Sequence, residues 1–115
     1  EYAIYVYLGT KLEKKMTRKS SNFEPPQVIK DEKGNYYKSG GLRTVAEYGD
    51  YLLVFLEGKE KGWSIEVLDK ESYKYLGSTE MDKRGYLMNV SAGGSIFVWD
   101  EDEAKIIKYK LSINP

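Results

Sequence analysis

Four consecutive carboxylates, Asp100-Glu101-Asp102-Glu103, are the densest chemical feature of the chain. Calcium loops space their oxygen ligands and place a glycine at the sharp turn. Here the acids are contiguous and no glycine interrupts them, so a solvated turn is the expected reading. Asp31-Glu32-Lys33-Gly34-Asn35 looks similar, and its Gly-Asn pair predicts an ordinary turn. No metal or other cofactor is expected at either place. Two acids about 5–9.5 Å apart could instead hydrolyse a glycosidic bond. Asp100, Asp102 and Glu60 are the candidates, although no spacing singles out a pair. Eleven tyrosines and two tryptophans invite a second chemistry, because aromatic faces give large, rigid contact surfaces with a polar tip. Most fall inside predicted strands. Tyr36 and Tyr37 lie in an irregular stretch and are the ones expected to be available for binding.

What is missing narrows the chemistry further. The chain has no Cys and no His, which removes Ser-His-Asp and Cys-His catalysis, thiolate zinc sites and disulfides from these residues. Acid–base work would rest on carboxylate, Lys or Tyr alone. No glycine-rich phosphate loop or nucleophile elbow is present. Eighteen basic residues balance eighteen acidic ones, so the basic surplus that drives polyanion binding is lacking and no nucleic-acid partner is expected. Lys14-Lys15 and Arg18-Lys19 form a local basic cluster, expected to guard an exposed edge strand against mispairing. Asn89-Val90-Ser91 fits the glycosylation pattern but falls in a predicted strand. The longest apolar runs are about five residues, against the roughly 20 that span a bilayer, so no transmembrane segment is expected. With Glu1 at its start, the sequence is expected to be a mature form or an excised fragment.

The elements that must position these residues come from a repeat. Gly41-Leu42 answers to Gly85-Tyr86, Tyr48-Gly49-Asp50 to Ala92-Gly93-Gly94, and Leu52-Leu53-Val54-Phe55 to Ile96-Phe97-Val98-Trp99, all 44 residues apart. Ile65-Glu66-Val67 answers to Ile107-Lys108-Tyr109 at an offset of 42, after a loop two residues shorter. The first hairpin joins the pattern, with Ile4-Tyr5-Val6 matching Ile65-Glu66-Val67 and Lys11-Leu12 matching Lys74-Tyr75. Apolar residues never recur at helical spacing over three turns, while Val, Ile, Tyr, Phe and Trp cluster in short alternating runs. The fold class is therefore all-β. Residues 1–19 read as an outer hairpin, 20–41 as an irregular connection, 42–80 as four strands and 81–115 as three. Within 20–41, Val28 to Lys30 and Tyr36 to Lys38 predict a small hairpin over Lys33-Gly34-Asn35. The strand Tyr51 to Leu56 is apolar on both faces and is expected between two neighbours.

At Tyr51-Leu52-Leu53-Val54, at Ile65 through Ser78 and at Ile96-Phe97-Val98-Trp99-Asp100, the chain resembles the six-bladed β-propeller proteins of the NHL-like kind. The resemblance implies antiparallel four-stranded blades, here about two blades of an incomplete propeller that cannot close alone. It implies a C-terminal fragment whose partners are the missing blades of a parent chain or other copies of itself, and association through the open flanks is expected. Trp99 is then expected to pack between blades, with Phe97 on the opposite face, and Trp99→Ala to cost about 3–5 kcal/mol. Loops on one rim of such a fold would carry the ligand-binding candidates Tyr36, Tyr37, Lys59, Glu60, Lys61, Lys83, Arg84, Asp100 and Asp102. The function so implied is a non-enzymatic module binding a peptide, glycan or protein, within an exported bacterial protein at the periplasm or cell surface. The alternative is a carbohydrate-active hydrolase or lyase using carboxylates.

Overall fold

Alternating and doubly apolar runs fold here into eleven antiparallel strands and no helix, as seen in a computed structural model that describes residues 1–57, 62–81 and 86–113. The side chains of residues 29, 37–39 and 86–88 lie outside that description. β1 (Tyr2–Leu8) and β2 (Lys11–Arg18) form a hairpin. β3 (Gln27–Lys30) and β4 (Tyr36–Ser39) form a second, small one, as the turn at Gly34 predicts. β5 (Leu42–Tyr48), β6 (Tyr51–Glu57), β7 (Trp63–Asp69) and β8 (Tyr75–Glu80) make a four-stranded meander. β9 (Tyr86–Val90), β10 (Ser95–Asp100) and β11 (Lys105–Lys110) make a three-stranded one.

The three larger sheets do not join edge to edge; they pack face on face. Each residue step along a strand alternates faces, and β6 uses both. Leu52, Val54 and Leu56, with Leu68 of β7, pack against Tyr2, Ile4 and Met16 of the first hairpin. Leu53 and Phe55, with Ile65 and Val67, pack against Ile96 and Val98 of β10. The four-stranded sheet is thus the middle layer, and Leu53, Val54, Phe55 and Leu56 have no exposure at all. Three layers in a row make the chain long: its extents are 44 × 28 × 28 Å. Its radius of gyration of 15.2 Å exceeds the roughly 13 Å of a compact chain of this length.

All layers are stacked with one polarity. β10 turns Ile96 and Val98 back toward the middle sheet, which leaves Phe97 and Trp99 together on the outward face, half-buried. Residues two apart share a face, so the expectation that Phe97 and Trp99 lie opposite each other is corrected. Among the described residues no further layer covers Trp99 on that face. On the first hairpin the outward face carries Tyr5, Tyr7 and Leu12, exposed by 51%, 58% and 46%.

Register refines the repeat. Val54 pairs with Glu66 in the middle sheet and Val98 with Ile107 in the last. Glu66 therefore corresponds to Ile107, not to Lys108, and Leu68 to Tyr109. The β10–β11 connection is three residues shorter than β6–β7, and that single extra deletion reverses every face assignment on β11. The turn before β10 is one residue longer than Gly49-Asp50, closing with Ser91 N–H to Ser95 O at 2.8 Å. The first hairpin keeps its predicted correspondence to β7–β8. The register shifts between Val6 and Tyr7 in one and between Val67 and Leu68 in the other, which are matching positions. β8 begins only at Tyr75, because Tyr73 is left-handed at φ 61° and extends the turn. The Asp69 carboxylate holds that turn by accepting N–H bonds from Glu71 and Ser72 and the Ser72 hydroxyl.

The 20–41 connection is tied down by a close backbone crossing. Gly41 N–H donates to Glu24 O at 2.7 Å. Gly40 sits at φ +85°, and a Cβ there would lie 2.8 Å from Pro25 O and 3.2 Å from Glu24 O. Both obstacles are backbone and cannot swing aside. Gly40→Ala is expected to cost about 1–3 kcal/mol through the left-handed strain alone, with the clash in addition. Urea denaturation should show it as a lowered midpoint, and a midpoint within error of wild type would contradict the crossing.

Candidate functional site

Among the described residues, the charged group most deeply inside the molecule is Glu66, in the centre of β7, with no exposure. β7 is apolar around it, so burial by itself would drive its carboxyl toward the neutral form. The hairpin and the segment after it supply the compensation. Arg18 at the end of β2 donates side-on, Nε to Oε1 at 3.0 Å and Nη2 to Oε2 at 3.3 Å. Tyr2 OH donates to Oε1 at 2.7 Å, Ser20 Oγ to Oε2 at 2.6 Å, and Asn22 Nδ2 to Oε2 at 3.1 Å. A carboxylate offers about four lone-pair sites, so these five bonds saturate it. Burial is the largest single influence on Glu66 and raises its pKa, but the bonds from Arg18, Ser20, Tyr2 and Asn22 together outweigh it and hold the group down to about 2. Burial, then the bond to Glu66, pushes the Tyr2 phenol well above its ordinary value. The Glu66 bond raises the already basic Arg18 further. The guanidinium also lies 3.8 Å from the centre of the Tyr75 ring.

Strand alternation explains how β2 delivers these groups. Arg18, Met16 and Lys14 point toward the middle sheet, and Lys14 Nζ donates to Glu71 O at 3.3 Å and lies over the Tyr73 ring at 4.4 Å. Lys15 points the other way, over Tyr5. The edge-guard expectation is thus corrected for Lys14 and Arg18, which join two layers. This centre is an ionised anchor. Its carboxylate has no exposure with which to meet a substrate.

The predicted rim residues fare differently. Tyr36 stands on β4 with 70% of its surface exposed and Lys30 Nζ 5.8 Å from its ring centre. Tyr37 is the next residue of β4, its side chain outside the described set. Lys59, Glu60, Lys61, Lys83 and Arg84 also lie outside the described residues. Asp100 is buried, and its Oδ1 accepts N–H bonds from Asp102 at 3.1 Å and Glu103 at 3.3 Å. It organises the four-acid turn from inside, while Asp102 is exposed. Glu103 pairs with Lys105. Among the described residues no cluster of three or more acids, His or Cys could hold a metal ion. No helix there is long and apolar enough to cross a membrane.

Sequence reasoning missed Glu66. Its signal was a lone acid at the middle of a run, Trp63 to Leu68, that is otherwise mostly apolar. A charge so placed requires partners, but nothing local points to Arg18, Ser20 and Tyr2. Comparison with family models, curated proteins and solved structures finds no match to this chain.

Proposed function

We propose that the chain is a run of propeller-type blades that binds a peptide or glycan through one rim, without catalysis. The observation that carries this reading is the stack itself: meandering sheets, packed face on face with one polarity, and two hairpins with bulges at matching positions. Bulges are placed features that recur within related units, and short regular blades around an axis are how such units assemble. Against catalysis stand the two acids whose surroundings are best defined. Glu66 is saturated by protein donors and Asp100 holds a turn.

Tyr36 is the exposed aromatic that such a rim would use. Screening immobilised peptides and glycans, together with a hydrolysis assay on the same panel, tests the reading. Binding without turnover supports it, and turnover replaces it with the carbohydrate-active alternative. Tyr36→Ala is expected to weaken the binding found by about 0.5–1.5 kcal/mol, roughly 2- to 12-fold in Kd. The exported setting at the periplasm or cell surface belongs to the same proposal, and a reading frame upstream of Glu1 carrying further blades and an export signal is its test.

A further inference from the structure

The two outward faces of the stack are unlike each other, and each matches a face that is already covered inside the molecule. Phe97, Trp99 and Ile106 correspond by register to Leu53, Phe55 and Ile65. Those three are fully or almost fully buried beneath the next sheet. Tyr5 and Tyr7 correspond to Glu66 and Leu68, which are buried beneath the preceding hairpin. At the ends of the stack the same positions are open: Tyr7 is 58% exposed and Ile106 57%. We infer that these end faces pair with each other between copies of the chain. The Phe97–Trp99–Ile106 face of one copy covers the Tyr5–Tyr7–Leu12 face of the next, repeating the internal layer contact.

This inference rests on the repeated-blade reading and adds to it a partner and a direction. The occupant is a second copy because the molecule's own interior supplies the template: each open face is the counterpart of one that this sequence covers with another of its own sheets. Both ends carry apolar rings and branched chains large enough to bury. The charges placed beside the rings are positive at both ends: Lys15 lies over Tyr5 at one, and Lys108 pairs across from Phe97 at the other. The contact is therefore apolar in origin, and added salt should leave it unchanged or strengthen it. Because the paired faces differ, the contact is heterologous and a copy blocked at one end still offers the other.

Sedimentation velocity and light scattering on the whole chain, over a concentration series, read this directly. The wild type is expected to gain mass with concentration. Tyr7→Glu and Ile106→Glu each place a charge at an exposed end position, with circular dichroism confirming that each variant remains folded. Each alone is expected to be monomeric, and an equimolar mixture of the two to give a dimer of twice the monomer mass, capped at that size. A wild type that stays monomeric up to its solubility limit overturns the inference and assigns the end faces to another occupant. Single variants that still dimerise overturn it in favour of like-with-like pairing, and a mixture that stays monomeric overturns it as well. Should either substitution unfold the chain, Tyr7→Lys and Ile106→Lys replace the pair under the same criteria. Peptide or glycan binding by the monomeric variants reports separately on the rim, so failure of association and failure of the binding-module reading are distinguishable.

Discussion

Glu66→Ala should cost about 3–5 kcal/mol, the range found when one partner of a buried ion pair is removed. Arg18, Tyr2, Ser20 and Asn22 all aim donors at the Glu66 carboxylate, and the substitution leaves them buried or half-buried without an acceptor. Urea unfolding should show a large fall in midpoint, and the β1–β2 hairpin with the segment after it, residues 1–22, should become the first to exchange its amide hydrogens. The same centre sets an acid limit. The folded pKa of Glu66, about 2, lies below its ordinary 4.5. Its contribution is therefore complete above pH 4.5, declines as pH falls through the window from 4.5 to 2, and is gone below it. The difference amounts to about 3 kcal/mol. Glu66→Gln cannot titrate and should flatten the stability profile across that window. A wild-type profile already flat there would mean that the carboxylate is not held as described.

Phe55→Ala is the second large effect, at about 3–5 kcal/mol. Phe55 has no exposure and lies between the middle sheet and β10, so truncation leaves a cavity that two hydrogen-bonded sheets cannot collapse to fill. Trp99 makes the informative contrast. It occupies the corresponding position one layer on, but is covered from one side only, and Trp99→Ala should cost clearly less in dilute solution. Equal costs for the two, measured at the same low protein concentration, would contradict the one-sided placement of Trp99.

The parts of the fold written in local pattern were legible. Leu52 to Phe55 and its echo Ile96 to Trp99 announced β6 and β10, and the Gly34 turn announced β3 and β4. Strand alternation places Lys14 and Arg18 on one face of β2, yet nothing in the sequence says that this face is covered. Register was less legible still: a β10–β11 loop shortened by three residues instead of two set Ile107 opposite Val98, and so made Ile107, not Lys108, the counterpart of Glu66. The candidate site was hidden for the most physical of reasons. A buried carboxylate is recognised by its donors, and those of Glu66 lie 44 to 64 positions earlier in the chain, where no spacing rule operates. Asp100 misled in the opposite sense, since an acid at the head of an acidic turn looks solvated until the N–H groups of Asp102 and Glu103 are seen to converge on it.

That separation along the chain also fixes an order of events during synthesis. The β1–β2 hairpin closes within itself in microseconds, whereas the ribosome adds about 5–20 residues per second. Arg18, Ser20 and Asn22 therefore leave the ribosome several seconds before Glu66 does. For that interval the inward face of the newborn hairpin, with Tyr2, Ile4 and Met16, has no sheet to rest on. Its three polar groups keep it wetted while it waits, and the arrival of β7 turns the same groups into the clasp.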